Sequence, residues 1–147
     1  MVTCYHMRLP EQRQGCDELS DSDFYEAFEG GRVSKDVFRH AEHVRLGFIY
    51  LLRHPDFGEG AMRFRRAFQR FVRAQGVEHV YNETLTWAYL VLIHQRMHER
   101  PAADSFEFIR DSPDLCNHRH GLVSRYYDLE QIVKSPTAKA MFVLPSR

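Results

Sequence analysis

Cysteine is scarce in this chain. Its 147 residues include three, Cys4, Cys16 and Cys116. No two of them make a C-x-x-C pair, so neither a disulfide framework nor a cysteine-rich zinc knuckle is expected. Reduced thiols in a cytoplasmic protein are the simple reading. An excess of charge is also missing, since Lys+Arg and Asp+Glu both number 20. Nucleic-acid binders usually carry a basic surplus, so no nucleic-acid partner is expected. The longest apolar run, Ala88-Tyr89-Leu90-Val91-Leu92-Ile93, is far too short for a bilayer. The N-terminal residues lack the apolar core of a secretory leader. A cytoplasmic protein with no membrane partner follows as the expectation.

Strand signals are weak, because no run alternates cleanly with β-branched residues and no Asn-Gly turn occurs. The chain has no H-E-x-x-H, no Walker A loop, no G-x-G-x-x-G and no G-x-S-x-G. No glutamate is followed three residues later by histidine, which counts against a ferritin-like di-iron site.

What remains is a composition in the ordinary globular range, 44% hydrophobic and 27% charged, sized for one domain with its own core. Residues 1–19 show no period, contain Pro10 and Gly15, and read as a loose lead-in to a single helical domain over 20–147. Ser20 and Asp21 offer caps for a helix carrying Phe24, Tyr25 and Phe28, and Gly30-Gly31 stops it. Ser34 offers the cap of the next. Its stripe of Val37, Phe38, Ala41, Val44, Phe48, Leu51 and Leu52 recurs near every 3.6 residues and ends at His54-Pro55. A third helix is expected from about Glu59 to Gln75, with Gly76 as its stop. A fourth runs from near Asn82 to Glu99, before Pro101. Apolar residues surround much of its circumference, which predicts a central place in the packing. Asp104 with Glu107 caps a short helix before Pro113, and Ser135-Pro136 starts the last one. The expected fold is all-α: a bundle of about four main helices plus short C-terminal ones.

Histidine is abundant, with nine residues. His40 and His43 stand one helical turn apart on the border of the second helix's apolar stripe. Gly47 would clear space beside them, at a helix cost of roughly 1 kcal/mol relative to alanine. On the fourth helix Glu83 and His94 share a face, with Trp87 between them. A carboxylate on an apolar helix needs a partner. Two imidazoles and a carboxylate are a standard ligand set for a divalent metal, zinc or iron. The plainer alternative is that the histidines hydrogen-bond within the core, and that Glu83 meets the helix dipole. Three other groups are less suggestive. Arg63, Arg65, Arg66, Arg70 and Arg73 read as an exposed basic face opposite phenylalanines. His98 reads as a C-terminal dipole partner, and His118-Arg119-His120 as a loop at a pocket mouth or simply an exposed one.

These residues resemble a family of small, largely uncharacterised bacterial helical proteins. Its pattern reads approximately Phe-x-His-x-x-His-Val/Leu, then Tyr-His-Glu-Thr-x-Thr, then Ser-Pro-x-Ala. This chain offers Phe38, His40, His43 and Val44, then Tyr81, Asn82, Glu83, Thr84 and Thr86, then Ser135, Pro136 and Ala138. Asn82 stands where the pattern has histidine, and asparagine rarely replaces imidazole on zinc or iron. The resemblance implies a site around His40, His43 and Glu83 but brings no reaction with it.

Two functional readings stay open. In the first, His40, His43 and Glu83 hold a divalent metal in a small-molecule enzyme. Tyr81 and Thr84 are then its candidate catalytic residues, with Asn82, Trp87 and His94 nearby. Without metal, a His–Glu pair could act as general base. In the second, the cluster is structural in a binding or interaction protein, whose aromatic surface (Phe24, Phe28, Phe57, Phe64) meets a partner. A small-molecule partner fits the first reading, and the sequence is compatible with a homo-oligomer.

Overall fold

A computed structural model of the chain describes residues 19–146. The expected lead-in thus lies outside the described residues except for Leu19, and Cys4, Cys16 and His6 lie outside them too. The described residues form eight α-helices: α1 Asp21–Glu29, α2 His40–Arg53, α3 Phe57–Ala74, α4 Glu83–Glu99, α5 Ser105–Arg110, α6 Pro113–Cys116, α7 Leu129–Lys134 and α8 Pro136–Ala140. Short 3-10 turns fall at Lys35–Val37, Glu78–Val80 and Leu122–Arg125. No strand occurs among the described residues, and none of their helices is long and apolar enough to cross a membrane. An all-α bundle of four main helices followed by short ones is therefore the architecture.

Local chemistry sets most of the helix ends. Ser20 accepts from the Asp23 amide, Asp56 from Glu59, Asn82 from Leu85, Asp104 from Glu107 and Ser135 from Ala138. Each bond satisfies one of the amides that a helix start leaves unpaired. Gly31 and Gly76 follow α1 and α3 with positive φ of 71° and 69°, where a side chain would be strained. The second helix departs from expectation. Ser34 caps only the 3-10 turn, and Phe38 and Arg39 leave helical geometry before α2 begins at His40. The Glu42 carboxylate sets this start by accepting from the Arg39 amide at 2.8 Å.

The most enclosed helix is α2, not α4. Eleven of its fourteen residues are buried, including Glu42 and Arg45, each with no exposure. It packs against α1, α3, α4, α5 and α6. By contrast α4 leaves Val91 and His94 exposed. The fourth helix does hold a central place, packing on α2, α3, α6 and α8, but an all-round apolar sequence does not rank it above α2, because polar residues can also be buried when paired. Arg45 illustrates this. Its guanidinium donates to Ser105 Oγ at 2.6 Å and the Leu19 carbonyl at 2.6 Å, and meets Asp21 at 3.3 Å. It also lies over the rings of Phe24 and Phe106. One cation thereby ties α1, α2 and α5 together.

The four aromatic residues expected on an interaction surface do not form one. Phe24, Phe28 and Phe64 are buried in the core and Phe57 is half-buried. Their helical spacing places them on inward faces, where burial of each ring contributes on the order of 2–3 kcal/mol.

Candidate functional site

A cavity of about 520 Å³ opens between α2, α3 and α4. Phe64, Phe68, Val44, Leu85, Leu90 and Ile93 line its apolar part. Gly47 of α2 lines it too, and a β-carbon there would come within 2.9 Å of Ile93 Cδ1. Glycine at this position thus permits close approach of α2 to α4.

Five polar rings interrupt the apolar wall: His79 at its exposed edge, and His40, His43, Tyr89 and His118 deeper in. The His40 ring centroid lies 6.3 Å from that of His43, 4.9 Å from His118 and 4.8 Å from Tyr89. His40 and His43 sit on the first turn of α2, where the Glu42–Arg39 bond fixes the start. The position of His118 depends on α6. Arg96 of α4 forks onto Asp114, with bonds of 2.9 and 2.6 Å, and so anchors α6. The Leu115 carbonyl of α6 then accepts from His40 Nε2 at 3.0 Å. His118 follows in the turn after α6, which Asn117 closes by accepting from the His120 amide at 3.0 Å.

These imidazoles are held neutral. Burial pushes His40 down to about 4, assisted by the neighbouring His118 and opposed by the Leu115 carbonyl. Burial likewise pushes His43 down to about 3, with His40 and His118 adding to it. His118 is lowered by burial and by Arg119 beside it. The Tyr89 hydroxyl is raised by burial and then by Cys116, so it keeps its proton. Two polar atoms here, the Tyr89 hydroxyl and His118 Nδ1, are buried without a hydrogen bond among the described residues. The His43 ring lies tilted 4.4 Å from Phe38 and edge-on 4.8 Å from Phe68, and no hydrogen bond to the ring occurs among the described residues.

Glu83 belongs to a different constellation. Arg65 Nε donates to both of its carboxylate oxygens at 2.9 and 3.0 Å, the Tyr81 hydroxyl donates at 2.6 Å and Trp87 Nε1 at 3.1 Å. Burial alone would raise this carboxyl, but the bonds from Arg65, Tyr81 and Trp87 outweigh it and hold it below the usual range. Burial and the bond to Glu83 in turn raise Tyr81. None of Glu83, Tyr81 and Trp87 lines the cavity. Among the described residues no group of three or more His, Cys, Asp or Glu is placed to share a metal ion. The residues expected as a metal set therefore do not fit one as arranged: Arg65, from α3, partners the carboxylate that would complete it.

The remaining expected site residues divide similarly. Asn82 lines the cavity while capping α4 and donating to the Ile132 carbonyl at 2.9 Å. Thr84 is fully buried and clasps the C-terminal segment. Its hydroxyl stands 3.0 Å from the Ala138 carbonyl and 2.9 Å from that of Met141, and accepts from the Val143 amide at 3.1 Å. That is a structural task. His94 is exposed and packs on Phe57, with centroids 4.6 Å apart. Sequence reasoning placed Tyr89 only in an apolar stripe and gave His118 little weight, yet both line the cavity beside His40. The arginines of α3 stand mostly outward, Arg63 on Glu59 and Arg70 on Glu29, while Phe64 and Phe68 are buried opposite.

Compared with protein-family models, with curated proteins and with solved structures, the chain matches none.

Proposed function

We propose that this protein binds a small organic molecule of largely apolar surface in the cavity between α2, α3 and α4, and reads one polar group on it with His43, Tyr89 and His118. The observation that carries this reading is the presence of two unpartnered buried polar atoms, among the described residues, in a largely apolar wall. A buried hydroxyl or ring nitrogen without a partner costs about 1–3 kcal/mol. A ligand that supplies the partner recovers that cost and buries apolar surface at the same time. The cavity volume of about 520 Å³ lies within the usual span for small-molecule sites.

The state of the imidazoles favours binding over acid–base catalysis. A general base works best with a pKa near the operating pH, and His40 and His43 are pushed down to about 4 and 3. At neutral pH they are hydrogen-bonding groups and weak proton acceptors. A backbone-amide NMR titration with a library of small apolar and amphipathic compounds tests the reading. Binding compounds should shift the amides around His43, Tyr89 and His118 together. A library in which no member moves those three, or in which binders map elsewhere, would refute it.

A further inference from the structure

Among the described residues, acidic side chains are missing from the cavity wall, whose lining contains two cations, Arg39 and Lys139, and no aspartate or glutamate. In a chain with equal numbers of acids and bases, that is a local imbalance. The lining residues also differ in exposure in a way that orients the cavity. His40, Val44, Leu90 and Ile93 are buried, whereas Arg39, His79, Val80 and Val133 are exposed and Lys139 is half-buried. The exposed members mark the mouth and the buried ones the floor. Among the described residues neither Arg39 nor Lys139 makes an ion pair, although six other cation–acid pairs are present. The floor carries no charge, because its imidazoles are neutral.

Resting on the reading of the cavity as a binding site, we infer that its ligand is an organic anion with an apolar body, of the monocarboxylate type. The body lies inward against Phe64, Phe68, Leu90 and Ile93 and carries its neutral polar group to His43, Tyr89 and His118, while the carboxylate at its other end stays at the mouth on Arg39 and Lys139. The polarity runs this way round because an ionised carboxylate on the neutral floor would be desolvated without a counter-charge. At the mouth it keeps its water and gains two cations. An amine of the same shape meets the same apolar floor but a repulsive mouth, so selectivity arises from repulsion as well as attraction.

The test is calorimetric titration of the full chain with octanoate, 1-octanol and octylamine at one ionic strength, repeated on an Arg39→Gln/Lys139→Gln double variant. Neither residue is buried, and the α2 start depends on the Arg39 backbone amide, which glutamine keeps. Octanoate should bind about tenfold more tightly than octanol, a difference of about 1.4 kcal/mol, with octylamine weakest. In the double variant octanoate should fall to the affinity of octanol, and octanol should be unchanged. Octanol binding as tightly as octanoate overturns the anion assignment while leaving the cavity reading in place. So does an octanoate advantage that survives the double variant. If none of the three compounds binds, the cavity reading fails and the inference with it.

Discussion

His40 Nε2 stands 3.0 Å from the carbonyl oxygen of Leu115. A carbonyl only accepts, so the bond places the ring proton on Nε2 and leaves a lone pair on Nδ1. Nitrogen-15 NMR of the histidine rings should report this tautomer for His40 at neutral pH. Removing the ring in His40→Ala leaves the Leu115 carbonyl unpaired and should cost about 1–3 kcal/mol in urea denaturation. A ring proton found on Nδ1 would contradict the arrangement.

Mild acid should weaken the fold through His40 and His43. His40 and His43 are pushed to about 4 and 3 when folded, whereas in the unfolded chain they titrate near 6.5. Between those values the unfolded state binds more protons, so stability rises with pH and is lost as pH falls below about 6.5. By pH 5 each histidine should have removed about 2 kcal/mol. The lowered carboxyls of Glu83 and Asp114 lose their contribution only at lower pH, below this window. His43→Phe fits the aromatic slot between Phe38 and Phe68, and should flatten this slope with less than about 1 kcal/mol of change at pH 7.5. An unchanged slope in that variant would mean that His43 is not desolvated.

Glu83→Gln separates the expected metal set from the observed ion pair. The substitution removes the charge that Arg65 meets and should cost about 1–3 kcal/mol of stability while leaving octanoate affinity unchanged. Treatment of the wild type with EDTA should shift neither its melting temperature nor that affinity. A stoichiometric metal lost from Glu83→Gln would reverse this conclusion.

Gly47→Ala probes the α2–α4 contact. Alanine gains roughly 1 kcal/mol of helix propensity, but its β-carbon meets Ile93 Cδ1 at 2.9 Å and forces that side chain aside. The two effects oppose, so stability should stay within about 1 kcal/mol. The displaced Ile93 narrows the cavity, and octanoate should bind more weakly in calorimetry. Unchanged affinity would place the ligand away from Gly47.

Features fixed by neighbouring residues were legible in the sequence. Caps at Ser20, Asp104 and Ser135, the glycine stops after α1 and α3, and the pairing of His40 with His43 all follow from short spacings. Features fixed by distant residues were not. Glu83 faces a neighbouring helix, as its period implies, but periodicity does not say that Arg65 waits there instead of the histidines. The helix break at Phe38-Arg39 depends on one glutamate bonding backward, which an unbroken apolar stripe conceals. His118 reaches His40 only because Arg96 and Asp114 anchor α6, and a loop carries no period from which to read that. Tyr89 looked like core because most of its surface is.

The clasp at Thr84 has a consequence for assembly. The cavity wall is drawn from segments as far apart as Phe38 and Lys139, and the hydroxyl of Thr84 fastens the chain beside them at Ala138, Met141 and Val143. Contacts so distant in sequence are won late in folding, after long loops have closed. A fragment lacking either end of this stretch lacks part of the wall, so a ligand of the cavity would favour the complete fold. Every bound ligand then shifts the balance towards the complete fold by mass action, so occupancy and abundance of this protein in a cell would rise together.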